Sequence, residues 1–159
     1  MPLKIREAIP KDSQTIFDFI MELAIYEKLP NAVKTTVKEI KDSIFAPNST
    51  VKALICEEDG KAIGYAVYFY NYSTWLGKNG IYLEDLYVNE SKRGKGAGKA
   101  MIKYLAKKAI SENCGRFEWA CLDWNTPSRE FYESLGAVAL NEWIGYRLEG
   151  DALEKFANN

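Results

Sequence analysis

A chain of 159 residues with 47 % apolar and 27 % charged side chains has the size and composition of one soluble globular domain with a packed core. No apolar run approaches the roughly 20 residues that span a bilayer, and MPLKIREAIPKD lacks the apolar stretch of a signal peptide. A formal net charge of −1 hides an asymmetry: residues 91–108 carry Lys92, Arg93, Lys95, Lys99, Lys103, Lys107 and Lys108 with no acid, on an otherwise acidic chain.

Three cysteines without a CxxC pair, in a chain with no histidine, argue against a zinc site and point to reduced thiols in a cytoplasmic compartment. The missing histidine also removes every Ser–His or Cys–His nucleophile and every imidazole base. Acid–base chemistry then falls to carboxylates, tyrosine, lysine, cysteine or water. Nucleic acid would favour a broader basic face than one short segment. A small polyanion at that segment, with a cation bound elsewhere, fits the charge distribution better.

In chain order, LKIREA alternates like a strand. The segment to about Lys28 sets Ile16, Phe19, Ile20, Leu23 and Ala24 at helical spacing. TTVKEIKDSIF reads as a short helix with a threonine cap, ending before Pro47. TVKALICEE and KAIGYAVYFYNY flank Asp59-Gly60, a hairpin signal, and the second run is apolar on both faces like a central strand. GIYLEDLYV is a further strand. After a glycine-rich turn, Ala97, Ala100, Met101, Tyr104 and Leu105 form a helical stripe. RFEWACL is a strand; Asn125-Thr126-Pro127 opens a helix to about Leu135, with Gly136 beyond it. EWIGYRLEG is expected to close the sheet. No repeat or linker interrupts the order, so residues 1–159 are expected to form a single α/β domain around a mixed sheet.

The turn SKRGKGAGKAM fails two phosphate motifs by spacing. A P-loop would need glycine where Arg93 stands and Ser or Thr where Ala100 stands; a dinucleotide fingerprint would need glycine at Lys99. The physics of an anion cradle survives, because a glycine turn opening a helix after a strand exposes unpaired N–H groups at the positive end of the helix dipole.

Arg93-Gly94-Lys95-Gly96-Ala97-Gly98 resembles the R/Q-x-x-G-x-G/A signature of the GNAT N-acetyltransferases, and the element order agrees over nearly the whole chain. YSTWLGKNGIYLEDLYV, LDWNTPSREFYESLGA and Trp143 are similar to the diamine (spermidine/spermine) acetyltransferase group, especially its branch acting on thialysine and related small amines. The resemblance implies a mixed, mostly antiparallel twisted sheet flanked by helices, and acetyl-CoA as cosubstrate with no metal. It places the pyrophosphate on Arg93, Gly94, Lys95, Gly96, Ala97, Gly98 and Lys99, with Lys92 also available to attract it. The pantetheine arm falls on the backbone of Leu86, Tyr87 and Val88, and Asn125 contacts the cofactor as well as capping its helix. A homodimer is implied by the family alone.

Glu84 and Asp85 interrupt an apolar strand, and adjacent strand residues point to opposite faces, so at least one carboxylate lies near the interior. They are either structural acids paired to Lys or Arg, or a base and a cation anchor. An alkylammonium of pKa about 10.4 must lose a proton before it attacks a thioester, at roughly 4–5 kcal/mol at neutral pH. The resemblance makes Glu84 the water-relayed general base and Tyr132 the general acid for the departing thiolate. It assigns Tyr26, Glu27, Trp75, Asp85 and Trp143, with Glu84, to the amine. Ser73 stands where the polyamine enzymes carry an acid, which favours a short amine. The alternatives are a protein N-terminus or lysine as acceptor, and a non-catalytic acyl-CoA sensor; retention of Glu84 and Tyr132 argues against the sensor.

Overall fold

The computed structural model describes residues 2–159. Four consecutive strands, β1 (Leu3–Glu7), β2 (Val51–Glu58), β3 (Lys61–Ser73) and β4 (Lys78–Val88), pair antiparallel in chain order. β5 (Arg116–Trp119) lies parallel to β4 at the edge, as a strand reached through a helical crossover must. Asp59 and Gly60 both take positive φ, 53° and 74°, the twist that closes the tight β2–β3 hairpin. β3 sits at the centre of the five, as its apolar faces predict.

The helices are α1 (Ser13–Tyr26), α2 (Val37–Ile44), α3 (Ala97–Ser111), α4 (Thr126–Ser134) and α5 (Gly150–Ala157). Thr36 Oγ1 accepts the backbone N–H of Glu39 at 3.1 Å, the expected cap of α2. Ile16 and Phe19 of α1 and Ile44 of α2 pack on Ala53, Ile55, Tyr65, Val67 and Tyr87, one face of the sheet. Leu54, Cys56, Ala66 and Tyr68, of opposite parity, are also sealed, and α3 contributes Met101 and Leu105. A Cβ on Gly64 would stand 2.6 Å from the Tyr87 carbonyl oxygen and 3.3 Å from Met101 Cε, so only glycine admits this approach. Each large side chain buried on these faces contributes about 1.5–3 kcal/mol.

One irregularity decides the geometry of β4. Val67 pairs with Asp85 and Tyr68 with Leu83, which leaves Glu84 as an extra residue, a β-bulge. Paired residues share a face, so Ile81 and Leu83 lie on the α3 face while Asp85 and Tyr87 lie on the α1 face. A straight period of two would have put all four together.

The chain divides into two compact units, Met1–Ala120 and Cys121–Asn159. The first holds the sheet with α1–α3. In the second, Asn125 accepts the backbone N–H of Ser128 at the start of α4, and Gly136 follows the helix with φ 94°, both as expected. Two expectations are corrected. The strand in RFEWACL ends at Trp119, and EWIGYRLEG is not a strand. Its alternation makes it able to pair, but a strand exists only with a ladder partner, and none involves 137–149 among the described residues. α5 begins at Gly150, where the last element expected from the sequence ends. Among the described residues no helix is long and apolar enough to cross a membrane.

Candidate active site

The bulge creates an open backbone edge. β5 pairs with β4 only from Gly80 to Leu83, opposite Arg116 to Trp119, and the pairing stops where Glu84 interrupts the ladder. Asp85–Val88 therefore keep β3 on one side and, among the described residues, have no strand on the other. Leu86, Tyr87 and Val88 thus present peptide groups that an extended chain can pair with, as an added strand would.

β4 delivers the chain into the glycine turn. Asn89 stops the strand: its N–H reaches the Ile63 carbonyl at 2.8 Å, and its Oδ1 accepts from Ser91 N at 3.1 Å and Ser91 Oγ at 2.7 Å. Gly94 and Gly96 take φ 81° and 86°, a conformation L side chains rarely adopt, and a Cβ on either would meet nothing within 4 Å. Gly96 is the N-cap of α3, which no side chain caps. Ala97 is buried beneath the turn and Gly98 has Val88 Cγ2 at 4.0 Å as its nearest Cβ neighbour. Left-handed glycines, open space and uncapped N–H groups suit an anion that approaches the backbone closely.

The basic residues of the turn divide in two. Lys92, expected to attract phosphate, is committed elsewhere: its Nζ pairs with the buried Glu58 at 2.8 Å. Arg93 lies with its guanidinium 4.7 Å from the ring centre of Tyr26 and 5.3 Å from that of Tyr87, while its Nε donates to the Val88 carbonyl at 2.9 Å. Its side chain ties the turn to the end of α1 and to β4. Tyr26, assigned to the amine by resemblance, thus stands beside the turn. A cleft of about 690 Å3 opens here, lined by Glu22, Tyr26, Tyr87, Asn89 and Arg93 among others; neither Glu84 nor Asp85 lines it. Glu22 Oε1 accepts both the Tyr87 hydroxyl and Asn89 Nδ2 at 3.0 Å. Lys95 and Lys99 are in no ion pair among the described residues.

On the α1 face the carboxylates gather. Asp85, half-buried, accepts the hydroxyl of the fully buried Tyr65 at 2.7 Å. Burial holds the Asp85 carboxyl above the usual carboxylate range, while the Tyr65 hydrogen bond pulls the other way. Glu27, just past α1, is also raised, by burial first and then by the charge of Asp85. Burial, then Asp85, Glu27 and Glu84, push the Tyr65 hydroxyl far upward, so it acts only as a donor. Glu84 itself is exposed on the bulge. The structure thus brings Glu27, Glu84 and Asp85 around one tyrosine. Tyr65 escaped the sequence reading because its link to Asp85 depends on a register that the bulge sets.

Within the first unit, Ser73 and Trp75 lie at the far end of β4 from this cluster. Trp75 is 90 % exposed in the β3–β4 turn. Asp85 is about seven residues along β4 from that turn, roughly 20 Å at about 3.3 Å per residue. Ser73 is buried and its Oγ accepts the Leu76 N–H at 3.2 Å, so it shapes the turn. In the second unit, Asn125 is buried at the cap of α4, Tyr132 is half-buried with its ring 5.5 Å from Phe131, and Trp143 is exposed in the irregular 137–149 segment.

The sequence model of the acetyltransferase (GNAT) family matches residues 17–137. A thialysine N-epsilon-acetyltransferase of Sus scrofa is 38 % identical over 164 residues, 96 % of each chain. An L-ornithine N5-acetyltransferase of Arabidopsis thaliana is 43 % identical over 91 residues, 57 % of this chain and 40 % of that one. Among solved structures, an integron cassette protein from the mobile metagenome of V. cholerae superposes with a TM-score of 0.85 at 29 % identity, covering 100 % of this chain and 99 % of that one.

Proposed function

The chain is an N-acetyltransferase of the acetyltransferase (GNAT) family, and from that premise we propose that it moves the acetyl group of acetyl-CoA directly to a primary amine of a small molecule: thialysine, a diamine or a lysine-like amino acid. The observation that carries the acceptor is the carboxylate cluster of Glu27, Glu84 and Asp85, a receptor for a small cation. The named relatives, which act on thialysine and ornithine, support the same class.

The residues present fit acetyl-CoA. The open edge of Leu86–Val88 can take the pantetheine amides, and the backbone of Gly94–Gly98 at the uncapped start of α3 can take the pyrophosphate, with Lys95 and Lys99 adding charge. Arg93 contributes by shaping the turn. Acetyl-CoA supplies an acetyl group activated as a thioester. Glu84, the exposed extra residue of the bulge, removes the proton from the acceptor ammonium through ordered water. Asp85 and Glu27 hold the cationic acceptor. Tyr132 returns a proton to the departing thiolate, an assignment supported by its motif, and Asn125 joins the cofactor site on the same ground. Trp75 and Trp143 are assigned to the amine by resemblance. The direct route needs neither an acyl-enzyme nor a metal. As a whole, residues 1–159 are read as one catalytic domain, working as a homodimer in the cytoplasm.

A CoA-release assay tests this across thialysine, ornithine, lysine, putrescine, spermidine and peptides with free N-termini. Turnover of the short amines is expected, with spermidine slower. Turnover of peptides alone would replace the small amine by a protein acceptor. Acetyl-CoA binding without any release would leave a sensor.

A further inference from the structure

Among the described residues, the two buried acids have cations. Asp12 faces Arg6 at 2.8 Å, and Glu58 faces Lys92 at 2.8 Å. Asp85 and Glu27 differ: among the described residues neither forms an ion pair with Lys or Arg. Asp85 receives a neutral donor instead, the hydroxyl of Tyr65. That hydroxyl is not needed for packing. The Tyr65 ring stacks on Phe19 with centroids 5.6 Å apart, and a phenylalanine would fill the same space. A hydroxyl at a fully buried site costs free energy unless it is bonded, and among the described residues its bond goes to Asp85.

Resting on the amine-acetyltransferase reading above, we infer that Tyr65 is a positioning residue for acceptor selectivity. Its hydroxyl pins one oxygen of Asp85 and leaves the other, together with Glu27, for a second ammonium group on the acceptor, distinct from the amine that is acetylated. A diamine or diamino acid carries such a group and a monoamine does not. The arrangement comes from three elements: Tyr65 on β3, Asp85 beyond the bulge of β4 and Glu27 past the end of α1. A phenol that does not ionise is a constant donor and favours the charged form of its acceptor.

The titratable groups facing Asp85 are Tyr65 from β3 and Glu27 from the end of α1, while the neighbouring Glu84 on β4 acts on the Tyr65 hydroxyl. Glu22 of α1 is occupied by Tyr87 and Asn89. Burial raises Asp85 and the Tyr65 bond opposes that rise, so removing the hydroxyl moves its titration to higher pH. Diamine capture needs the charged carboxylate, so its pH dependence moves the same way.

The test compares kcat/KM for diaminopentane and pentylamine across mildly acid to neutral pH, in the parent enzyme, Tyr65→Phe, Asp85→Asn and the double variant. Tyr65→Phe should reduce the preference for the diamine by about tenfold, the worth of a hydrogen bond to a charged group. It should also move the pH break for the diamine upward. Asp85→Asn should abolish the break, and adding Tyr65→Phe to it should change nothing further. Equal losses for both amines, or a break that stays in place, would overturn the proposal. Should Tyr65→Phe fold poorly, a fluorinated tyrosine at position 65 keeps the ring, alters the hydroxyl and must still shift the break. If the parent enzyme acetylates neither amine, the small-amine reading fails; calorimetric binding of the diamine to parent and variant then still decides the role of Tyr65.

Discussion

The two halves of β4 are made from similar residues and do different work. From Gly80 to Leu83 the strand is paired on both sides, by β3 and by β5, and its alternate side chains are sealed. From Glu84 to Val88 it loses β5, resumes its pairing with β3 at Asp85, carries two acids and ends in the glycine turn. One extra residue separates them. A ladder satisfied on both edges is structure only; a ladder interrupted by a bulge exposes peptide groups and re-aims side chains. On the proposed reading, the bulge makes a site from a strand without leaving the sheet.

The strongest way to break this contrast is at Glu84 itself. Glu84→Gln keeps the bulge and removes the proposed base, and kcat should fall by about 10²-fold or more, the usual range for an acid–base group. Deleting Glu84 is more severe in function and mild in structure. Leu83 and Asp85 already lie on opposite faces, as adjacent residues of a regular strand do, so the ladder closes without moving either side chain. The deletion variant should fold, by circular dichroism and thermal melting, and lose activity at least as completely as Glu84→Gln. Retained activity after deletion would show that the bulge does not serve the chemistry. Tyr132→Phe should cost a similar factor in kcat, and an unchanged rate would remove it from the mechanism.

Much of this was legible in the sequence, for identifiable reasons. Alternation located β1, helical spacing α1 and α3, the hairpin signal β2 and β3, the latter apolar on both faces, and cap residues located α2 and α4. The glycine turn was legible because left-handed φ at Gly94 and Gly96 requires that residue type. The bulge was not: nothing in IYLEDLYV marks where one residue is skipped, and the bulge alone sets which face Asp85 occupies and that Tyr65 reaches it. Lys92 looked like its neighbours until its partner Glu58 came into place from β2, more than thirty residues away. EWIGYRLEG shows the converse error. Its alternation is a capacity to pair, and the pattern carries no information on whether a partner is present.

A second contrast within β4 concerns stability. Asp85 is raised by burial, so the unfolded chain ionises it first as pH rises. Stability is lost from about pH 3.9, the ordinary aspartate value, up through the raised value, and the loss persists at neutral pH. Asp85→Asn removes that cost and keeps an acceptor for Tyr65. The variant should melt above the parent at neutral pH, with the gap closing in acid. At the same time KM for a diamine should rise by about tenfold to a hundredfold, as expected when a charged partner is lost. A variant that is both less stable and unchanged in KM would make Asp85 a structural acid. A residue that costs the fold and serves the site is expected where function sets the choice.

The smallest effect belongs to the turn that the second half of β4 feeds. Gly98 differs from Gly94 and Gly96: it is helical, its φ is not in the left-handed range, and its nearest Cβ neighbour is Val88 Cγ2 at 4.0 Å, an ordinary contact. Neither conformation nor packing requires glycine there. Alanine in a helix is favoured over glycine by up to about 1 kcal/mol, so Gly98→Ala should leave the melting temperature unchanged or raise it. The added methyl lies beside the uncapped N–H groups at the start of α3, so KM for acetyl-CoA should rise several-fold while KM for the amine stays as it was. That split separates a glycine kept for the fold from one kept for a phosphate. A fall in stability would assign Gly98 to the fold, and an unchanged acetyl-CoA KM would move the pyrophosphate away from this residue towards Gly94 and Gly96.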